Sequence, residues 1–212
     1  MKLLIYILLL FFTFAACKEK KKDPVLPAPS ATSNTSSAVA DDQQSTDSVI
    51  IRTVIKDFYN WYNKNDQKLM AFQLYDGIKK TDRPPYRIDW KEVDKYHQFI
   101  RTNVPQLGEE FIMNQKQFFQ ECDSALKVDK EDDIPYGFDY DWYTGGQEGP
   151  EYLVKEVNKP GKWLMKWSGD YVIVDIKGVY NNNGKKEETT FVTVKMRKEG
   201  EEWKIAKIGH EQ

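Results

Sequence analysis

The stretch Asp170-Tyr171-Val172-Ile173-Val174-Asp175-Ile176-Lys177-Gly178-Val179-Tyr180, followed at once by Asn181-Asn182-Asn183-Gly184, decides how this chain folds. Apolar residues recur at every second position, which is the period of a β-strand. Asn and Gly tolerate positive φ, so the run that ends in Gly184 predicts a hairpin. Glu188–Lys198 then predicts the return strand, with Phe191, Val192, Val194 and Met196. Lys198-Glu199-Gly200-Glu201 turns the chain again, and Trp203–Ile208 predicts a closing strand. On the other side of Asp170, Tyr152–Val157 and Lys162–Trp167 read as two further strands, joined by Asn158-Lys159-Pro160-Gly161.

Before Pro150 the period is helical. Thr46 or Asp47 supplies a cap, and Ile50, Ile51, Val54, Ile55, Phe58, Trp61 and Tyr62 follow at helical spacing. Asn63-Lys64-Asn65-Asp66 is expected to end that helix, with a shorter helical piece over Gln67–Leu74. Thr81-Asp82-Arg83-Pro84-Pro85 is a break. Val93–Ile100 predicts a second helix that stops near Val104-Pro105. Glu109–Leu126 predicts a third, with Phe111, Ile112, Phe118, Phe119, Cys122 and Leu126 as its apolar stripe. Helices first and an antiparallel meander last is an α+β pattern. A long amphipathic first helix can lie across a strongly curved sheet and fill its concave face.

Lys127–Gly149 is loop by composition. It mixes Asp129, Glu131, Asp132, Asp133, Asp139 and Asp141 with Tyr136, Phe138, Tyr140, Trp142 and Tyr143. Clustered carboxylates suit a hard cation such as Ca²⁺, yet the Gly and terminal Glu of an EF-hand loop are misplaced, so a solvated acidic loop is expected. The five aromatics are dense for a loop. They either form a recognition surface or close the open end of the sheet as a satellite core. They are the candidate ligand-binding residues, together with His97.

The N-terminus reads Met1-Lys2, an apolar run from Leu3 to Phe12, then Thr13-Phe14-Ala15-Ala16-Cys17. The apolar part is too short to span a bilayer, which takes roughly 20 residues, and has the form of a signal peptide. Cys17 directly after Ala15-Ala16 resembles the lipobox of bacterial lipoproteins. That resemblance implies removal of residues 1–16 and lipidation of Cys17, hence a protein anchored to a membrane of the bacterial cell envelope, with Lys18 favouring the outer membrane. Two or more acyl chains anchor a protein stably. Residues 17–46 include Lys18-Glu19-Lys20-Lys21-Lys22-Asp23 and a Pro, Ser, Thr and Ala-rich run, and are expected to be a disordered tether. A flexible tether of that length reaches roughly 30 Å. Residues 47–212 form the single domain.

Removal of residues 1–16 takes Lys2 from the 31 basic residues and leaves 33 acidic ones untouched, so the remaining chain is slightly acidic. The charges are interspersed, which argues against nucleic acid as a partner. Lipidation of Cys17 would leave Cys122 without a disulfide partner, and Cys122 is expected to be a buried thiol. No Cys/His cluster has zinc spacing, and the sequence implies no cofactor.

The order of elements resembles the NTF2-like, or cystatin-like, cone fold, and within it the DUF3828 group. The likeness rests on Val54-Ile55-Lys56-Asp57-Phe58-Tyr59-Asn60-Trp61-Tyr62, on Tyr171–Tyr180 and Thr190–Arg197, and on Gly200-Glu201-Glu202-Trp203-Lys204-Ile205-Ala206-Lys207-Ile208. It implies the fold and names no reaction, because one fold hosts many functions. A cone-pocket enzyme would need a base inside the cone; His97 and Asp175 are the positions considered, and a satisfied core histidine and a solvent-facing sheet position are the ordinary readings of them. Lys177 is read as Asp175 is. Asp47-Ser48-Val49 and Asp123-Ser124-Ala125 resemble the short O-glycosylation motif of exported Bacteroidetes proteins, with Asp47-Ser48 expected at an accessible boundary. The leading expectation is a non-enzymatic lipoprotein that binds a protein, peptide or small ligand. An immunity-type protein that binds a toxin and a cone-pocket enzyme are the alternatives.

Overall fold

The computed structural model describes residues 35–77, 81–130, 134–146, 149–159, 161–182 and 184–209. Its elements are α1 (Thr35–Met70), α2 (Trp90–Asn103), α3 (Glu109–Leu126), α4 (Pro150–Asn158), β1 (Trp163–Ser168), β2 (Tyr171–Asn182), β3 (Lys185–Glu199) and β4 (Glu202–Ile208). The strands pair in chain order as an antiparallel sheet, β1-β2-β3-β4. The class is α+β, as the order of periods predicts. The signal segment and residues 17–34 of the expected tether lie outside the described residues.

Burial selects the elements. In β2, Val172, Val174 and Ile176 are buried, while Ile173, Asp175 and Lys177 alternate with them on the more open face. Asp175 there accepts from Thr193 and pairs with Lys166. Val192, Val194 and Met196 of β3 continue the buried face. The pairing slips between Ile176 and Lys177, so Phe191 is left as an extra residue. Its ring lies over Gly178: a Cβ built at Gly178 would sit 1.7 Å from Phe191 Cε2. Glycine is therefore required at position 178 for contact reasons. Phe191 packs edge-on against Tyr152 of α4.

α1 carries Ile51, Ile55, Phe58, Tyr62 and Leu69 along its buried stripe. Arg52 lies 4.9 Å from the centre of the Trp163 ring. The helix begins at Thr35 and continues through Asn63–Asp66 to Met70, so it neither starts at Asp47 nor ends at Asn63. Leu69 extends the buried stripe one heptad beyond Tyr62, and Asn65 bonds back to the Trp61 carbonyl at 2.8 Å. Tertiary burial outweighs the weak helix propensity of Asn and Asp. Asp47 is not a cap but a buried helix-interior residue, 3.7 Å from Lys198 Nζ, and Ser48 donates to the Gln44 carbonyl. The expected open boundary at Asp47-Ser48 is therefore a turn of helix. Ser124 is exposed but helical as well.

The expected strand Tyr152–Val157 is α4. Pro150 is its first residue, with φ set for a helix, and Leu153 and Val157 at i, i+4 form its buried side. The apolar residues Tyr152, Val154 and Leu153 support either period, and burial against α1 settles it.

α3 and the segment that leads into it from α2 meet the sheet edge. Asp89 caps α2 by accepting from Glu92 N, and Pro105 follows its end. Ile205 exchanges backbone bonds with Gln106 and Gly108, which covers the free edge of β4. Asn114 donates to the Ala206 carbonyl. Glu110 accepts from Tyr171, Lys195 and Arg197 and ties α3 to the sheet. Burial opposes the charge on Glu110, yet these donors hold its carboxyl below the usual range.

Candidate functional site

The loop Ile134–Gly146 lies against α3 and the turn after α1, and its residues divide between interior and surface. Pro135 and Gly137 are buried. Gly137 has φ 82°, and a Cβ there would meet Cys122 Sγ and Phe118 Cζ at 2.6 Å. The Gly137 carbonyl accepts from Trp142 Nε1 at 2.7 Å. Phe138 stacks on Phe119 at 6.3 Å and meets Tyr75 at 4.6 Å. Trp142 stands edge-on to Phe118, Phe119 and Phe138. Three of the five loop aromatics, Phe138, Trp142 and Tyr143, thus pack inward.

Tyr143 reaches the centre. Its hydroxyl lies 2.5 Å from that of Tyr96, which also accepts from Gln115 Nε2 at 3.2 Å. The Tyr143 carbonyl accepts from Tyr59. Asp141 accepts the Tyr62 hydroxyl at 2.7 Å on one oxygen and the amides of Tyr143 and Thr144 on the other. Burial raises the Asp141 carboxyl above its ordinary value, against the pull of those donors. Burial likewise raises Tyr59, Tyr62, Tyr96 and Tyr143. The hydroxyls bond to one another and to the loop, so this network fastens the loop to α1, α2 and α3. Tyr59, Tyr62, Tyr96 and Gln115 were not expected as partners from sequence. The available signal is tyrosine at core positions of a helix stripe, because a buried phenol needs a polar partner.

His97 lies inside, not with the surface tyrosines. It stacks on Phe119 at 6.0 Å, and burial lowers its imidazole's affinity for a proton. His97 Nε2 and Gln115 Oε1 have no hydrogen-bond partner among the described residues. Cys122 is buried, as expected, and burial pushes its thiol up to about 12. Glu131, Asp132 and Asp133 lie outside the described residues, so the acidic loop is described only at Asp129, Asp139 and Asp141.

Tyr136 and Tyr140 remain on the surface, 57% and 41% exposed. Ile134 at 65% and Val128 at 77% accompany them on the same stretch. Of ten large hydrophobic residues exposed among the described residues, four belong to this segment. A shallow recess of about 280 Å³ between α2, α3 and β4 is lined by Arg101, Glu109, Glu199 and Lys204. Its charged groups are already paired or capping: Arg101 binds Glu109 and Glu199 accepts from Glu109 N.

No family model matches this chain, and no curated protein or solved structure matches it.

Among the described residues, no helix is long and apolar enough to cross a membrane.

Proposed function

We propose that this chain is a lipid-anchored protein of the bacterial cell envelope, held by Cys17, whose NTF2-like domain is a binding module. The DUF3828-like cone is part of the same proposal. The observation that supports the binding reading is the loop at Ile134–Tyr140: Ile134 and two tyrosines face solvent on a backbone held from beneath at Gly137. Clustered exposed apolar surface of this kind marks interaction sites. Rigid tyrosines offer contact area with little ordering entropy to lose. The buried aromatics serve packing, so binding is assigned to Tyr136 and Tyr140 rather than to Trp142, Tyr143 or His97.

A photo-crosslinking residue at position 140 tests the binding surface in cells. A discrete adduct is expected there, is absent with the same residue at exposed Lys155, and is lost on Tyr136→Ala. Equal labelling at both positions refutes the assignment. Cys17→Ser should release the protein from membrane fractions; retention refutes the anchor.

The cone-pocket enzyme draws support from one observation, the part-buried Asp141–Tyr62 pair and the buried Tyr96–Tyr143 pair, whose proton affinities burial raises. Tyr143 is 3% exposed and Tyr96 1%, so a substrate would reach their hydroxyls only after the loop lifts.

A further inference from the structure

The sheet has a second face, opposite Val172, Val174 and Ile176, and the strand register sets a row of cations across it. Lys166 of β1 stands opposite Ile173 of β2, Ile173 opposite Lys195 of β3, and Lys195 opposite Lys207 of β4. Three lysines and one isoleucine thus cross all four strands in one line. The next row on the same face adds Arg197, opposite Tyr171. Lys166 is 70% exposed and Arg197 38%, while Lys195, Lys207 and Ile173 are half-buried.

Folding alone does not account for this row. Like charges directly opposite one another, as Lys195 and Lys207 are, cost a sheet stability. Two carboxylates offset part of the charge. Glu110 is shared among Lys195, Arg197 and the Tyr171 hydroxyl, and Asp175 meets Lys166 at 3.3 Å. Lys207 has no ion pair among the described residues. The surplus extends beyond the row: residues 161–209 hold ten Lys and Arg against seven Asp and Glu, in a chain that is slightly acidic as a whole. A cationic face of this kind attracts an anionic surface. A tether that reaches roughly 30 Å keeps one such surface, the bilayer, within range of the domain.

Resting on the reading of Cys17 as an anchor, we infer that this face of the sheet docks on the anionic lipid headgroups of the membrane to which the chain is tethered. Lys166, Lys195 and Lys207 meet lipid phosphates, which neutralise the opposed pair from outside, and Ile173 lies among them.

The Cys17→Ser chain, sedimented with vesicles of phosphatidylglycerol and phosphatidylcholine, tests this without the anchor. Binding should rise with the phosphatidylglycerol fraction, vanish on phosphatidylcholine alone and weaken with added salt. Lys166→Gln with Lys207→Gln should lower it about tenfold or more, since each lysine near an anionic surface is worth about fivefold. Lys91→Gln with Lys155→Gln removes the same charge from exposed positions of α2 and α4 and should leave binding nearly unchanged. Lys18 and Lys20–Lys22 are present in every variant and do not produce the difference. Equal losses in the two double variants, or no binding to phosphatidylglycerol, overturn the docking face. Binding to polyglutamate that exceeds binding to vesicles and depends on Lys166 and Lys207 overturns lipid in favour of an acidic protein. The anchor is read separately, on salt-washed membranes, where a face held by charge has already let go.

Discussion

Replacing Gly137 with Ala should cost far more than a methyl group on a loop ordinarily does. Two separate penalties meet there. The backbone is left-handed at φ 82°, which costs an L-residue about 1–2 kcal/mol. The new Cβ would also lie 2.6 Å from both Cys122 Sγ and Phe118 Cζ. Neither neighbour can yield easily, because Phe118 packs on Phe119 and Trp142. Overpacking of this kind adds about 1–3 kcal/mol. Gly145→Ala is the control. It has φ 69°, but its Cβ would find only Gly209 Cα, at 4.0 Å. That substitution carries the backbone penalty alone. Urea denaturation, followed by tryptophan fluorescence and circular dichroism together, measures both. The expected difference between the two variants is about 1–3 kcal/mol, with Gly137→Ala the weaker protein. In a Cys122→Ala background the gap should narrow, because one of the two contacts is gone. If Gly137→Ala costs no more than Gly145→Ala, the loop is not clamped onto α3, and the rigidity assigned to Tyr136 and Tyr140 falls with it.

Four further outcomes check the interior. Tyr96→Phe should destabilise more than Tyr143→Phe, because it strands both Gln115 Nε2 and the Tyr143 hydroxyl; each orphaned group costs about 1–3 kcal/mol by chemical denaturation. Asp141 binds its proton more tightly folded than unfolded, so its contribution is present at low pH and lost as pH rises through the elevated folded value. Stability measured upward from pH 3.8, its ordinary value, should therefore decline relative to Asp141→Asn, and parallel curves would contradict the burial of the charge. Gly178→Ala should be strongly destabilising alone and largely relieved when combined with Phe191→Ala, a coupling that a double-mutant cycle reads directly. The Cys122 thiol, pushed up to about 12 by burial, should resist thiol reagents in native Cys17→Ser protein and react promptly in denaturant.

The regular elements were legible where one face of a periodic segment meets the core. The apolar run of β2, buried at every second position from Val172 to Ile176, and the stripe of α3 carry their own register, and α3 has the predicted limits Glu109–Leu126. Legibility failed where short segments fit two periods. Tyr152–Val157 alternates as well as it spirals, and only Leu153 and Val157 packing on α1 chose the helix. It failed too where a local breaker was overruled, as at Asn63–Asp66. The candidate site was half legible. The density of aromatics in Lys127–Gly149 located it, but an irregular loop has no period to say which ring turns inward. That sorting depends on partners distant in sequence: Cys122 and Phe118 beneath Gly137, Tyr96 beneath Tyr143, Tyr62 beside Asp141.

The same sorting shows the packing reading for Phe138, Trp142 and Tyr143, and leaves Tyr136 and Tyr140 as the residues to which the proposed binding is assigned. Phe138, Trp142 and Tyr143 anchor the loop, and their cost in conformational entropy is met on folding. Tyr140 projects between Phe138 and Trp142, and Tyr136 just before Phe138, from backbone held by those anchors. Binding at a mobile loop would require each rotamer-rich side chain and its backbone to be ordered at about 0.5–1.5 kcal/mol apiece, whereas here the backbone share has been removed beforehand. A loop that merely closed the fold would need only its inward residues, whereas this one also exposes Ile134, Tyr136 and Tyr140. An adhesive loop needs both sets, one to hold the other still.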